Sequence, residues 1–410
     1  MSSLRHDSRL YKLILANTLS SMGSGITMIA IPWLFITKDG GDVLLGYITL
    51  FSTFCLFVIT PYVGVLIDQF SRKNILIYGE LVGFVVIVSF VIIGFLGFDY
   101  KTWHLSVIYI SGAFYYNLFY PTIFAFTQEI FERTQYKSLN GIMEVQGQIA
   151  SVVAGGMAAL LLPVLEIKWI LLIDACTYII ALSLFLTIPY RKRFKKEQQR
   201  ESFWLKLTEG FRYMKQYPRL FLFLFASFMP FLVIMVTNYT FPIYIEAVLE
   251  ADASVFGMKS MVYGIGAALA GLVLPIWLTR FGNEQVIIWT MLLFTLAIAM
   301  FIFFPYIIVF YVLTLLIAIG AAGTRVARNS LMMEVIPNDK IGRVDSLFRV
   351  VGLSIRLCLL VAFTQMVANQ GVVNSFHVLS VMMVASFVII ILTYKALAKR
   401  RPNLQPAKAM

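Results

Sequence analysis

The chain has 410 residues, of which 60% are hydrophobic and only 13% charged, with a mean hydropathy of +0.84. That is more apolar surface than a water-soluble domain of this length can bury, so a soluble globular fold is excluded and a bilayer is the expected surrounding. The formal net charge of +12 then follows from membrane topology and attraction to anionic lipid, and no nucleic-acid partner is expected.

Taken in order, with about 20 apolar residues per span, the sequence predicts twelve transmembrane helices. They lie at 11–37, 43–67, 73–98, 103–128, 140–164, 167–189, 219–248, 255–280, 284–304, 306–333, 341–369 and 374–396. The first begins at Tyr11 and is interrupted by Asn17 and the cluster Ser20 to Gly25; lacking a short apolar core followed by a small-residue cleavage site, it reads as a retained helix and not a signal peptide. The three cysteines, Cys55, Cys176 and Cys358, fall at wide spacing inside apolar runs, and suggest neither a disulfide framework nor a metal site.

The one long polar interruption, 190–218, carries a dense run of Lys and Arg and divides the spans six and six. The expected fold is therefore an all-α polytopic membrane protein. It has an N-terminal six-helix bundle (1–189), a basic cytoplasmic linker (190–218), a C-terminal six-helix bundle (219–396) and a cytoplasmic tail (397–410). Around Phe203, Trp204, Leu207 and Phe211 the linker alternates apolar and basic residues, the pattern of an amphipathic helix at the membrane interface.

With both termini in the cytoplasm, 25 of the 33 Lys and Arg fall on the inner side, whereas Lys38, Lys101, Lys168 and Lys259 fall on the outer side. The positive-inside rule selects that orientation. The two halves also echo each other faintly: Glu129 and Glu334, 205 residues apart, each close a fourth helix of their half, and the same offset sets Glu144-Val145 on Arg349-Val350. A parallel repeat of this kind places a cargo site near the midplane.

The stretch Gly64 to Leu76 sets Gly64, Asp68, Arg72 and Lys73 between two apolar runs. Its spacing, Gly-x-Leu-x-Asp-x-x-x-Arg-Lys, resembles the loop 2-3 signature of the major facilitator superfamily of secondary transporters. Ala30-Ile31-Pro32-Trp33-Leu34, Ile173-Asp174-Ala175 and Ile341-Gly342-Arg343-Val344 look like the bacterial branch that contains macrolide efflux pumps and the enterobactin exporter. The resemblance implies a twelve-helix exporter of the bacterial inner membrane driven by proton influx.

Three departures from the drug-exporting relatives stand out. Ser111 precedes Gly112 where they often carry an Arg, Ser151 to Gly156 lacks the Gly-Pro of the helix 5 antiporter signature, and Gly23-Ser24 replaces a Gly-Asp pair in helix 1.

Ionisable side chains within a span cost at least about 2.5 to 3.5 kcal/mol each, so the few present call for a reason. Asp174, about seven residues into helix 6, is the leading candidate to carry a coupling proton, with Glu80 and Glu144 behind it; the competing role is a bond to a neighbouring helix. Glu246 is placed at the outer surface and solvated.

Arg325, Arg328, Arg349 and Arg356 lie in the C-terminal half, with Arg356 roughly 20 Å beyond the start of helix 11. Guanidinium groups bind carboxylate or phosphate bidentately. They suggest an anionic or zwitterionic cargo such as a siderophore, with Arg356 as anchor and Arg325 and Arg328 beside it. The competing role is internal pairing, of Arg349 with Glu144 or Asp68 and of Arg325 or Arg328 with Glu334. Gly352 between Arg349 and Arg356 leaves room for a ligand or a helix.

A cytoplasmic gate is expected from Gly64 at a close helix contact, Asp68 near the start of helix 11, and Arg72 paired with Glu129 or Glu132, with Lys73 and Arg349 nearby. Asn17, Asn117, Tyr120, Gln146, Asn238, Tyr239 and Asn329 are further cargo candidates, although such residues more often make interhelical hydrogen bonds of about 0.6 kcal/mol apiece. Phe114-Tyr115-Tyr116 with Tyr120 is read as one wall of an aromatic pocket, and Gly264, Gly266 and Gly271 as close-packing positions.

His6, His104 and His377 form no constellation with Ser, Cys or an acid, so no enzyme and no cofactor is expected. Multidrug efflux, import or facilitated diffusion, and a non-transporting receptor or scaffold remain the alternatives. The expected partners are a small-molecule substrate, protons and the lipid bilayer, with the protein a monomer.

Overall fold

The computed structural model describes residues 7–132, 135–190 and 203–398, and among these all regular structure is helical. The elements are α1 (Ser8–Ile36), α2 (Gly41–Gln69), α3 (Arg72–Phe95), α4 (Thr102–Ile130), α5 (Tyr136–Leu161), α6 (Ile167–Thr187), α7 (Phe203–Gln216), α8 (Pro218–Ala226), α9 (Met229–Ala247), α10 (Ala253–Phe281), α11 (Asn283–Met300), α12 (Ile307–Val335), α13 (Asn338–Gln370) and α14 (Val373–Ala398). Ten spans are long and apolar enough to cross a membrane, with α8 and α9 together forming one of them. The two further helices of spanning length, α4 and α5, carry more polar side chains and complete the twelve.

The seventh span is broken. Ser227 and Phe228 interrupt it because Pro230 has no N–H for the helical ladder, while a proline is tolerated in the first turn of the new helix α9.

Two compact units emerge. The first holds α1 to α6 together with Glu250–Gly264; the second holds α7 to α9 and the chain from Ile265 onward. Within the first unit, α5 and the start of α10 cross backbone to backbone. An ideal Cβ on Gly257 would collide with the amide nitrogen of Ala159, and one on Gly155 with that of Met261. Without hydrophobic attraction between helices in lipid, such small-residue contacts are what holds them together.

In the second unit, Phe241, Tyr244, Phe301, Phe310 and Phe376 form a buried ring cluster, with Tyr244 and Phe376 centroids 5.0 Å apart. The Tyr244 hydroxyl donates to the Phe301 carbonyl at 2.8 Å, so its polar tip is satisfied inside the core.

The linker helix α7 packs on α13. Leu207 and Met214 are buried, a Cβ on Gly210 would lie 2.5 Å from the Arg343 carbonyl, and Glu209 pairs with Arg343. Half of the expected interfacial helix thus faces protein, while Phe211 stays exposed. Linker residues 191–202 and the tail from 399 lie outside the described residues, as do the side chains of Phe203 and Trp204.

Candidate functional site

The N-terminal unit is organised by a polar stripe on α1. Asn17, Ser20, Ser24 and Thr27 recur at three- and four-residue spacing, which puts them on one helix face. Together they reach three partner helices: Asn17 donates to Gln146 of α5 at 2.5 Å, Ser20 to Glu80 of α3 at 3.1 Å, and Ser24 and Thr27 to Tyr178 and Asp174 of α6 at 3.0 and 2.6 Å. Tyr115 of α4 donates to the other Glu80 oxygen at 2.8 Å and shares a 2.6 Å hydrogen bond with Ser20.

The two acids are fully enclosed, Glu80 at 0% and Asp174 at 1% exposure, and among the described residues neither has an ion-pair partner. Their side-chain hydrogen-bonding neighbours are hydroxyls. A hydroxyl can donate to a carboxylate or, turned round, accept from a carboxylic acid, so this surrounding serves both protonation states. Tyr115 and Tyr178, packed edge to face at 5.3 Å, link the two acids.

Near Gly23, an acid from another helix approaches α1. Ser24 occupies the α1 position, and Asp174 Oδ1 reaches to within 2.8 Å of where a Gly23 Cβ would stand. Any side chain at 23 would also collide with Thr177.

Beside this network lies a cavity of about 670 Å³ between α2, α3 and α4, closed at one end by Asp174 and Tyr178. Asn117 lines it and donates to Thr60 at 3.3 Å.

A second cavity, of about 510 Å³, belongs to the C-terminal unit and surrounds the break between α8 and α9. Ser227 and Phe228 line it together with Arg325, Arg328 and Asn329 of α12 and Asp345 and Arg349 of α13. Arg328 is 4% exposed, and its guanidinium lies 4.8 Å from the ring centroids of both Phe228 and Phe348. Its Nε donates to the Leu224 carbonyl at 3.2 Å, whereas Nη2 makes no hydrogen bond among the described residues. Two aromatic faces and one carbonyl hold the fork while leaving donors for an incoming anion.

Other candidates are placed differently. The Arg356 guanidinium meets the Met235 sulfur at 3.5 Å and does not line the cavity, which Arg328 and Arg325 do. Gly352 is filled by Phe228 and Leu232, a helix neighbour and not ligand space. Arg349 pairs with Asp345 one turn back at 2.8 Å, and Glu334 accepts from Asn283 at 2.9 Å. Glu144 is exposed and accepts from Gln148 at 3.2 Å, outside the buried network. Glu246 and Asn238 are exposed, and Tyr239 is buried.

The aromatic run of α4 does not make one wall, because successive helix residues point in different directions: Tyr115 joins the core, Phe114 the cavity, and Tyr116 stacks on Tyr120 at 5.6 Å. Of the α10 glycines, Gly264 and Gly266 are closely packed and Gly271 is not.

At the loop signature, Arg72 Nη1 pairs with Glu129 at 3.3 Å and donates to the Ala125 carbonyl at 2.7 Å, as the sequence led us to expect. Tyr190, which sequence reasoning missed, donates to the other Glu129 oxygen at 2.6 Å; burial and the adjoining carboxylate push its hydroxyl up to about 12, so it remains a donor. Lys73 caps the end of α6 through the Leu186 and Ile188 carbonyls at 2.9 and 2.7 Å. Gly64 is not at a close contact, since a Cβ there would meet nothing within 4 Å. The Asp68 side chain lies outside the described residues.

The chain matches the family described as Major Facilitator Superfamily over residues 13–357 and again over 223–409. It belongs to the Major Facilitator Superfamily. This makes it a multi-pass membrane protein of a transporter family, whose members handle small-molecule substrates within the bilayer. Among curated superfamily relatives it is 22% identical over 355 residues to macrolide efflux protein A of Streptococcus pyogenes, covering 83% of this chain and 84% of that one. It is 24% identical over 306 residues to macrolide efflux protein A of Enterococcus faecalis, covering 71% and 90%.

Among solved superfamily structures, a mutant of the nucleoside transporter NupG superposes with a TM-score of 0.76 at 13% identity, covering 94% of this chain and 100% of that one. A bacterial homologue of the iron transporter ferroportin in its inward-facing state gives 0.67 at 17% identity, covering 94% and 98%. At these identities the likeness establishes the shared fold alone.

Proposed function

We propose that this protein is a proton-driven exporter that moves a small anionic or zwitterionic metabolite, such as a siderophore, by alternating access across the bacterial cytoplasmic membrane. It works as a monomer with both termini in the cytoplasm. The observation that carries the choice of cargo is Arg328, buried between two rings with an unbonded Nη2 in a cavity shared with Arg325 and Arg349. A buried guanidinium with spare donors is costly unless an anion completes it.

Asp174 and Glu80 carry the proton, since each is held by hydroxyls that suit both protonation states. Inside-out vesicles with an acid lumen and a pH dye test both points. A carboxylate siderophore should relieve quenching and Arg328→Gln should abolish the response; a response to a cationic macrolide alone would sink the anionic reading. The names of the curated relatives favour macrolide-type efflux as the second reading.

A further inference from the structure

In an unbroken α-helix each amide donates to the carbonyl four residues back. The seventh span departs from this just where it meets Arg328. Pro230 has no N–H for the Ala226 carbonyl, and its ring crowds that carbonyl, so α8 stops at Ala226. The ladder slips with it: the Phe228 amide, which in an unbroken helix would meet the Leu224 carbonyl, donates to Phe225 at 3.0 Å.

The Leu224 carbonyl is thereby left to donors from outside the ladder. Two take it: the Ser227 hydroxyl at 2.9 Å and, from α12, Arg328 Nε at 3.2 Å. Both lone pairs of a buried carbonyl are then used. The arginine gains more from the bond than the carbonyl does. With Nε held and the rings of Phe228 and Phe348 each 4.8 Å away, the guanidinium keeps one orientation, and its unbonded Nη2 belongs to a side chain that lines the cavity.

We propose that Pro230 is a positioning residue for anion recognition: by breaking the seventh span it releases the Leu224 carbonyl, which holds the Arg328 fork toward the cavity. This rests on the reading of that cavity as the anion site. It adds a direction of approach. Nε is spent on the carbonyl, so the side-on contact that uses Nε with Nη2 is closed, and a carboxylate meets the fork end-on through the two Nη groups. A fork fixed before the anion arrives also saves the cost of ordering a flexible side chain on binding.

The test is a double-mutant cycle of equilibrium binding between Pro230→Ala and Arg328→Lys. It uses the purified full chain in lipid nanodiscs and rhizoferrin, a carboxylate siderophore, as probe, with every titration carried to saturation. Alanine restores the missing N–H and favours helix, so the Pro230→Ala protein should unfold at the same or a higher temperature. In the parent protein Pro230→Ala should weaken binding about tenfold, the worth of one hydrogen bond to a charged group. In the Arg328→Lys protein, which has no Nε to hold, the same substitution should change binding by less than about twofold.

Equal weakening in both backgrounds would make the break a general structural feature and overturn the proposal. So would unchanged binding by Pro230→Ala alone. In either case a loss of affinity in Arg328→Lys still upholds the anion site. Undiminished binding by Arg328→Lys, or no binding by the parent protein, would instead strike the anion reading itself and the proposal with it.

Discussion

Arg72 and Glu129 form an ion pair with only 8% and 12% of their side chains exposed, Nη1 to Oε1 at 3.3 Å. The pair joins the first turn of α3 to the last turn of α4, and Tyr190 ties in the segment that follows α6. Removing one member breaks a largely buried ion pair, at a cost of about 3 to 5 kcal/mol. Arg72→Gln and Glu129→Gln should therefore each lower the unfolding temperature markedly. The double substitution should cost less than the sum, a coupling that a double-mutant cycle of thermal unfolding reads directly.

At the crossing of α5 and α10, Gly257→Val should destabilise the first unit by about 1 to 3 kcal/mol, because the new side chain meets the Ala159 backbone, which cannot rotate away. Gly64→Ala is the contrasting case. Its Cβ meets nothing within 4 Å, so the helix should gain up to about 1 kcal/mol. A loss of stability in Gly64→Ala would restore a close-packing role to that glycine.

The acids of the first unit make a prediction about coupling. Asp174→Asn keeps an oxygen for Thr27, and Glu80→Gln keeps one for Ser20 or Tyr115, so both should fold. Neither amide exchanges a proton. Substrate counterflow, which needs no proton movement, should persist in at least one of them while dye dequenching fails. Normal dequenching in both would remove these acids from the coupling path.

Much of this arrangement was legible in the sequence. Hydropathy places ten of the spans, and the loop signature together with the acid at 129 anticipates the Arg72 pair. The stripe Asn17, Ser20, Ser24, Thr27 was also present in the spacing, but it shows as a helix face only when the polar cluster is read at three- and four-residue intervals and not as an interruption.

What spacing could not supply is direction. Arg356 and Arg328 are equally arginines in span helices, yet one meets a thioether and the other two rings and a cavity, because rotation about each helix is set by its neighbours. Gly64 and Gly257 look alike in sequence, and only packing separates open space from a backbone contact. The sequence reads 219–248 as one span, whereas the structure breaks it before Pro230, and the cavity at that break takes Arg325 and Arg328 from α12.

Arg328 provides the last prediction. Its guanidinium lies over the rings of Phe228 and Phe348 and donates to the Leu224 carbonyl through Nε. Lysine retains the charge but has neither the plane nor the fork, so Arg328→Lys loses both the stacking and the bidentate geometry. Loss of one charged hydrogen bond to the anion is worth about 1.5 to 3 kcal/mol, or roughly tenfold to a hundredfold in affinity. Binding of a carboxylate siderophore to Arg328→Lys should weaken within that range, and Phe348→Leu, which removes one face while leaving the charge, should weaken it by a smaller factor. If Arg328→Lys binds the anion as well as the parent protein, charge alone suffices and the shaped pocket around the α8–α9 break has no part in recognition.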